Sequence, residues 1–509
     1  MAFAQDPNDW VEAPAARDRV FIRTAEGSVY SYADLREQSG RFAAALMRRG
    51  VCPGDRVALQ VDKSVDAIFV YVACLRMGAV FVPINVANTP REVEYFLRDA
   101  RPRVAIVRPK DRALIETMAS SAGVGFVETL GSARDGSLRE LADDCTVAAP
   151  APGARDSAAT AAIVYTSGTT GRSKGAMLTR ANLASNATVL AQAWRFTPDD
   201  VLLHTLPLFH IHGLFVAINT VLASSSSILL LGRFDAAMTL EHLSQASVYM
   251  GVPTHYTRLL QLEDLNKSST AAMRLFVSGS APLLAETHRE FQQRTGHVIL
   301  ERYGMSETMI NTSNPYERMR LPGSVGPPLQ GISVRVANAE SGAVELEPDA
   351  IGALEVKGPN VFAGYWHDEE KTRSEFTVDG WFKTGDVGRI DRHGYVHIVG
   401  RAKDLVISGG YNVYPKEVES ELDAVQGVLE SAVFGVPHPD FGEGVTAVVV
   451  AKPGAKLSER DVLDSIKERL AGYKLPKRIL LIDELPRNTM GKVQKNALRS
   501  TFATIYTKA

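Results

Sequence analysis

The 509-residue sequence predicts an α/β protein, with a large multi-layer N-terminal domain and a small α+β domain behind it. Three observations carry this reading. Helical and strand-like patterns alternate through the first hundred residues. A buried strand pattern, Ala161-Ala162-Ile163-Val164-Tyr165, runs into a loop dense in glycine, hydroxyls and cations. Beyond Arg401, strands and helices alternate again over roughly a hundred residues, the size of a separate small domain.

The elements follow in order. Ser31 caps a helix whose third position is Asp34, with Leu35, Phe42 and Leu46 on one face and Gly50 at its end. Pro53-Gly54-Asp55 turns into a strand at 57–61. A helix over 66–77 closes at Gly78, and strands follow at 80–82 and 104–107, with helix again near Ala113. A Pro/Ala/Gly-rich connector at 149–154 leads toward the glycine loop. Further on, Trp381-Phe382 and the strand at 395–399 read as antiparallel partners joined by the turn Asp391-Arg392-His393-Gly394, and Pro415 opens a helix.

Composition excludes several classes. Hydrophobic content of 45% and charged content of 22% describe an ordinary globular chain. A net charge of −2 gives no drive toward nucleic acid or an anionic membrane, so neither is expected as a partner. No run reaches the ~18 apolar residues of a membrane span. Met1 to Pro7 carries no secretory pattern, and Cys52, Cys74 and Cys145 share no ligand or disulfide spacing. A reducing, cytoplasmic setting is expected.

The glycine loop is Thr166-Ser167-Gly168-Thr169-Thr170-Gly171-Arg172-Ser173-Lys174-Gly175, with five hydroxyls, three glycines and two cations in ten residues. Glycines let a backbone turn its N–H groups toward an anion, and hydroxyls and cations add phosphate donors. No glycine directly precedes Lys174 and no Ser or Thr follows it, so this is not a Walker loop. Tyr303-Gly304-Met305-Ser306-Glu307-Thr308 sets an aromatic, a hydroxyl and a carboxylate together. Tyr303 could stack on a purine, and Glu307 could hold a magnesium ion between phosphates. Asp386 in Thr384-Gly385-Asp386 suits two ribose hydroxyls. Lys492 follows a glycine in a polar loop, where a solvated lysine is the ordinary reading.

Together and in this order, the motifs resemble the acyl-adenylate-forming superfamily of acyl-CoA synthetases, luciferases and peptide-synthetase adenylation domains. The resemblance extends from Ser31 to Lys492 and includes Pro207-Leu208-Phe209-His210-Ile211-His212-Gly213, Gly279-Ser280-Ala281-Pro282 and Gly400-Arg401. It implies an N-terminal adenylation domain over 1–400 with a small β-barrel-like part, a hinge at 401–403, and a mobile lid over 404–509. It also implies that Gly279, Ser280, Ala281, Tyr303, Gly304 and Met305 line the adenine pocket, and that Thr166, Ser167, Gly168, Thr169, Thr170, Gly171, Lys174 and Ser306 serve the phosphates. Asp386 and Arg401 would hold the ribose, Glu307 magnesium, and His210 the acid's carboxylate. Lys492 would bridge carboxylate and α-phosphate, where a cation between two approaching anions lowers the barrier. Rotation about Lys403 would then bring Ser408, Gly409 and Gly410 to the site for the CoA thiol. ATP and CoA are the implied co-substrates, with Mg2+ as cofactor.

For the acid, three segments, at 250–254, 278–289 and 311–316, are similar to bacterial malonyl-CoA synthetases. Malonate is expected, with methylmalonate second, and Arg289 and His212 would hold the carboxylate that does not react, because guanidinium grips carboxylate with two prongs. Ile211, a bulky apolar residue between the two histidines, bears on tolerance for a substituent. The competing readings are a fatty or aryl monocarboxylate ligase, a carrier-protein loader, and a non-catalytic nucleotide module. Only 17 residues follow Lys492, which weighs against the carrier-protein loader. Acetylation by a lysine acetyltransferase would silence Lys492 by removing its charge.

Overall fold

The computed structural model describes residues 6–12, 17–145, 156–166, 173–338, 342–345, 347–409, 411–488 and 491–506. The expectations for Ser167, Gly168, Thr169, Thr170, Gly171, Gly410 and the connector at 149–154 therefore lie outside the described residues.

Two large sheets share the main core. One has seven strands in the spatial order Gly364–Tyr365, Lys174–Thr179, Thr160–Thr166, Val80–Pro83, Arg56–Gln60, Val104–Val107 and Phe126–Thr129. Its central strands, Val80–Pro83, Arg56–Gln60 and Val104–Val107, are parallel and buried on both faces, so they read as apolar runs such as Val104-Ala105-Ile106-Val107. The other has eight strands, with Val201–His204, Val248–Gly251, Leu275–Ser278 and Leu300–Met305 among its parallel members.

Helix Val65–Met77 is buried at all thirteen positions, as a helix enclosed by protein on every side must be. Its Tyr71 ring lies 5.2 Å from Phe81 of the first sheet and 5.7 Å from Phe215 beside the second. Ser31 and Asp34 form the reciprocal cap that the sequence implies, and Gly78 takes the left-handed conformation (φ 74°) that ends a helix.

A five-stranded antiparallel sheet, built from residues 333–401, stands where the barrel-like part was expected. Strands Phe382–Ile390 and Val396–Arg401 pair across the expected turn. Beyond it, strands Val406–Ser408, Tyr411–Val413, Val428–His438, Gly442–Ala451 and Arg478–Leu481 form a fourth sheet flanked by helices Pro415–Asp423, Glu459–Ile466 and Lys495–Thr501. Two apolar clusters here contain only residues from 406 onward. No helix among the described residues is long and apolar enough to cross a membrane.

Candidate active site

Ligands in parallel α/β sheets collect beyond the carboxyl ends of the strands. Here His210 follows strand Val201–His204, Thr254 follows Val248–Gly251, Gly279 follows Leu275–Ser278, and Thr166 ends Thr160–Thr166. The glycine loop closes a β-hairpin: Thr166 pairs with Lys174, and Tyr165 with Gly175. A returning strand in place of a helix is the structural counterpart of its non-Walker spacing. Gly175 is required by packing, since a Cβ there would meet Ile163 at 2.6 Å.

Across from the hairpin, Lys174 Nζ stands 5.5 Å above the Tyr365 ring, and the Tyr365 hydroxyl donates to Glu307 Oε1 at 3.1 Å. Glu307 is buried, and burial raises its pKa, against the lowering from hydrogen bonds and Arg401. One carboxylate held by a tyrosine hydroxyl, across from the loop expected to take the phosphates, is the kind of donor magnesium uses when phosphates supply its other ligands. Glu307 therefore fits the expected ion, and no cluster of three metal-binding side chains exists among the described residues to compete.

The residues expected to hold the nucleoside come together from three segments. Asp386 and Arg401 are direct partners across their antiparallel strands, with Arg401 Nε 2.6 Å from Asp386 Oδ1. The Tyr303 hydroxyl donates to the other Asp386 oxygen. Gly304 is fixed by its neighbour, because a Cβ would fall 1.7 Å from the Met309 carbonyl. Met305 ends the strand opposite Met309, and Ser306 and Glu307 follow in the tight turn into strand Met309–Ser313. Ser280 holds a left-handed φ of 71°, a conformation rare for a residue with a side chain and found at sites that need it. Its Oγ lies 3.3 Å from His212 Nδ1.

His212 opens a π-helix, His212–Ile218, a form that recurs at functional sites. The His212 amide donates to His210 Nδ1 at 3.2 Å. Burial, then Arg302 and Lys492, push the His210 pKa down to about 4, and burial drives His212 well below its usual value. Both imidazoles are neutral near pH 7 and act as hydrogen-bonding groups rather than cations. Ile211 is buried in the main core.

The cation beside them is Arg302, which the sequence reading did not single out. It is 4% exposed, and its Nε and Nη2 have no hydrogen-bond partner. Burial pulls its pKa down to about 9, so it remains charged at neutral pH. Gly279 makes room for it, since a Cβ there would sit 2.3 Å from the guanidinium carbon. The signal available in sequence was an arginine inside an otherwise buried strand, Leu300-Glu301-Arg302-Tyr303.

Lys492 reaches the same cleft. Its loop rests on Thr254, whose Oγ1 lies 2.9 Å from where a Gly491 Cβ would be. Desolvation, then Arg401, lower the Lys492 pKa while Asp386 raises it. The Lys492 ammonium is near enough to Arg401 and Asp386 to feel their charges, and to His210 for that imidazole to feel its own.

An AMP-binding enzyme family model matches residues 7–366, and the model of that family's C-terminal domain matches 417–492. The chain belongs to the AMP-binding enzyme family. It is an ATP-dependent acyl-CoA ligase that works through an adenylate. Over its length this AMP-binding enzyme is similar to the mitochondrial malonate–CoA ligase ACSF3 of Bos taurus, at 34% identity with 96% of this chain and 89% of the relative covered. It is also similar to a feruloyl-CoA synthase from an Amycolatopsis species, at 35% identity over 94% of each. Among solved structures, ATP-bound MatB from Rhodopseudomonas palustris is 53% identical with a TM-score of 0.95, covering 98% of this chain and 100% of that one. The apo form of the same protein superposes at 0.86, with 99% and 100% covered. The present arrangement thus matches the ATP-bound form better.

Two groups of expected residues stand apart in this AMP-binding enzyme. Arg289 lies on the exposed side of helix Ala285–Thr295, and its Nε donates to Ala285 O at 3.2 Å. Ser408 and Gly409 keep their contacts within the fourth sheet; the Gly409 amide donates to Phe441 O at 2.9 Å. Lys403 occupies the short turn Ala402–Asp404, anchored by Arg499 to Asp404 at 2.9 Å.

Proposed function

We propose that this enzyme joins malonate, and methylmalonate as a second substrate, to CoA. The observation that supports a diacid is Arg302, a buried guanidinium with two unpaired nitrogens beside two neutral histidines. An unpaired buried charge is costly, and a bound carboxylate would satisfy it with paired hydrogen bonds. A monocarboxylate with an apolar tail would leave it unsatisfied. His212, whose Nε2 is buried without a partner, supplies a further polar group on the same wall. Arg289, on the outer face, is the second candidate for this role.

In the first half-reaction the free carboxylate of the acid attacks the α-phosphate of ATP and pyrophosphate leaves. Lys492 stands between the two anions, and His210 orients the attacking oxygens. Asp386 and Arg401 hold the ribose, while Thr166, Ser306, Lys174 and the loop hydroxyls receive the β- and γ-phosphates. Magnesium held by Glu307 would supply charge neutralisation for the leaving pyrophosphate. In the second half the CoA thiolate attacks the acyl carbonyl and AMP leaves. Rotation about 401–403 withdraws Lys492 and brings Ser408 and Gly409 forward with Gly410. An acetyltransferase modifying Lys492 would stop the first half alone. A cytoplasmic setting suits the three free thiols.

The test is AMP release with malonate, methylmalonate, succinate, acetate and ferulate, each with and without CoA. Malonate should give the highest kcat/KM, with sustained turnover only when CoA is present. Preference for acetate or ferulate would overturn the diacid reading. Turnover that ignores CoA would move the enzyme to another acceptor.

A further inference from the structure

The mouth of the phosphate hairpin is held from outside by one helix that the reaction scheme does not use. Helix Pro90–Ala100 begins with a reciprocal Thr89–Glu92 cap and a proline in its first turn, so its start is rigidly set. It buries Val93, Phe96, Leu97 and Ala100 against the first sheet. Tyr95 and Asp99, four residues apart, share the adjoining face.

Each of them grips a different strand of the hairpin. The Tyr95 hydroxyl donates to Ser173 O at 2.8 Å, one residue before Lys174. On the other strand, the Tyr165 hydroxyl donates to Asp99 Oδ2 at 2.5 Å, one residue before Thr166. Three further contacts tie the pair together. Phe96 packs on the Tyr165 ring at 4.5 Å, and Trp366 Nε1 donates to Asp99 O at 3.1 Å while the Trp366 amide donates to Gly175 O. Lys174 then lies over Tyr365, which is bonded to Glu307.

We propose that Tyr95 and Asp99 are positioning residues for the ATP triphosphate, acting by fixing Thr166 and Lys174 at a set distance from Glu307. Both act through the hairpin strands to which they bond. Their effect is to remove motion at the two strand ends from which the phosphate donors project, so that less freedom is lost when ATP binds. The inference rests on the phosphate reading of the hairpin. It is specific to the first half-reaction, because the acyl-adenylate carries no β- or γ-phosphate.

Tyr95→Phe keeps the ring and removes one bond. Asp99→Ala removes the other, and Asp99→Asn retains an oxygen that can accept from Tyr165. In Tyr95→Phe and Asp99→Ala, KM for ATP should rise about two- to tenfold, the weight of one hydrogen bond. Asp99→Asn should stay within twofold of wild type. Thioester formation from supplied malonyl-adenylate and CoA should be unaffected, as should the melting temperature. If Lys174→Ala raises KM for ATP but Tyr95→Phe and Asp99→Ala do not, the positioning role is wrong while the phosphate site stands. If Lys174→Ala also leaves it unchanged, the phosphate reading itself falls. A parallel loss of both half-reactions with the melting temperature would show a purely structural role and overturn the proposal.

Discussion

Arg302→Met separates a buried cation kept for a ligand from one kept for the fold. The guanidinium is 4% exposed, and burial lowers its pKa from the usual arginine range to about 9. A shift of that size corresponds to roughly 5 kcal/mol by which the folded protein disfavours the charged form, as an order of magnitude. The sign is that of a base with a depressed folded pKa: at neutral pH the group is charged in both states, so the full cost is present. Methionine is apolar, unbranched and similar in length, so the variant should be more stable and melt a few degrees higher. Catalysis should move the other way. Losing one partner of a buried charge pair costs about 2–4 kcal/mol, so kcat/KM for malonate should fall about 30- to 1000-fold. KM for ATP should change less than twofold. Malonate at a hundred times its Kd should raise the stability of the wild type by about 2.7 kcal/mol and leave the variant's melting temperature unmoved. The assays are pyrophosphate exchange driven by malonate and melting with and without the acid. A variant that melts lower and uses malonate at the wild-type rate would refute the reasoning. Arg289→Ala belongs in the same experiment: if it alone loses malonate, the carboxylate is held on the outer helix face and Arg302 is structural.

Much of this was legible from local pattern. The Ser31–Asp34 cap, the left-handed Gly78 and the buried strand before the glycine loop depend on residues within one turn or one strand, and sequence spacing encodes them. Asp386 and Arg401 were legible through the order of the motifs and not through the turn at 391–394, because a register shift between Val387 and Gly388 is what sets the two opposite each other. The remaining features depend on which strands lie side by side. Tyr365 reaches Glu307 from 58 residues away because its two-residue strand joins the edge of the hairpin. Arg302 could be seen as an arginine in a strand, but its lack of a counter-ion is a property of everything packed around it. For Arg289 the helix phase is informative. Thr287, His288, Phe291 and Thr295 form the buried face, which leaves Arg289 beside it on the solvent side. The alignment of buried positions decides a side chain's direction more strictly than its distance along the helix.

Two further outcomes can be measured. Lys492→Ala should lose malonate-dependent pyrophosphate exchange by at least a hundredfold, while CoA still converts supplied malonyl-adenylate to thioester; exchange at the wild-type rate would remove Lys492 from the chemistry. Glu301, next in sequence to Arg302, should set the alkaline limit of stability. It is buried, its Oε1 accepts from the Gly323 amide at 3.2 Å, and burial raises its pKa to about 8, with bonds from Gly323 and Leu283 and the charge of Lys416 opposing. A carboxyl with a raised folded pKa stabilises the fold fully below its unfolded value near 4.5, and that contribution is lost as pH rises toward 8. The wild type should therefore melt progressively lower from pH 5 to pH 9, by an amount on the order of several kcal/mol in stability. Glu301→Gln keeps an accepting oxygen and cannot ionise, so its melting profile should be flatter and should cross above the wild type on the alkaline side. Parallel profiles would mean that the carboxyl ionises without cost. The helix bearing Lys416 would then stabilise the carboxylate far more strongly than its position beside Glu419 and Asp423 allows, since those two acids already draw on the same ammonium at 3.9 Å each.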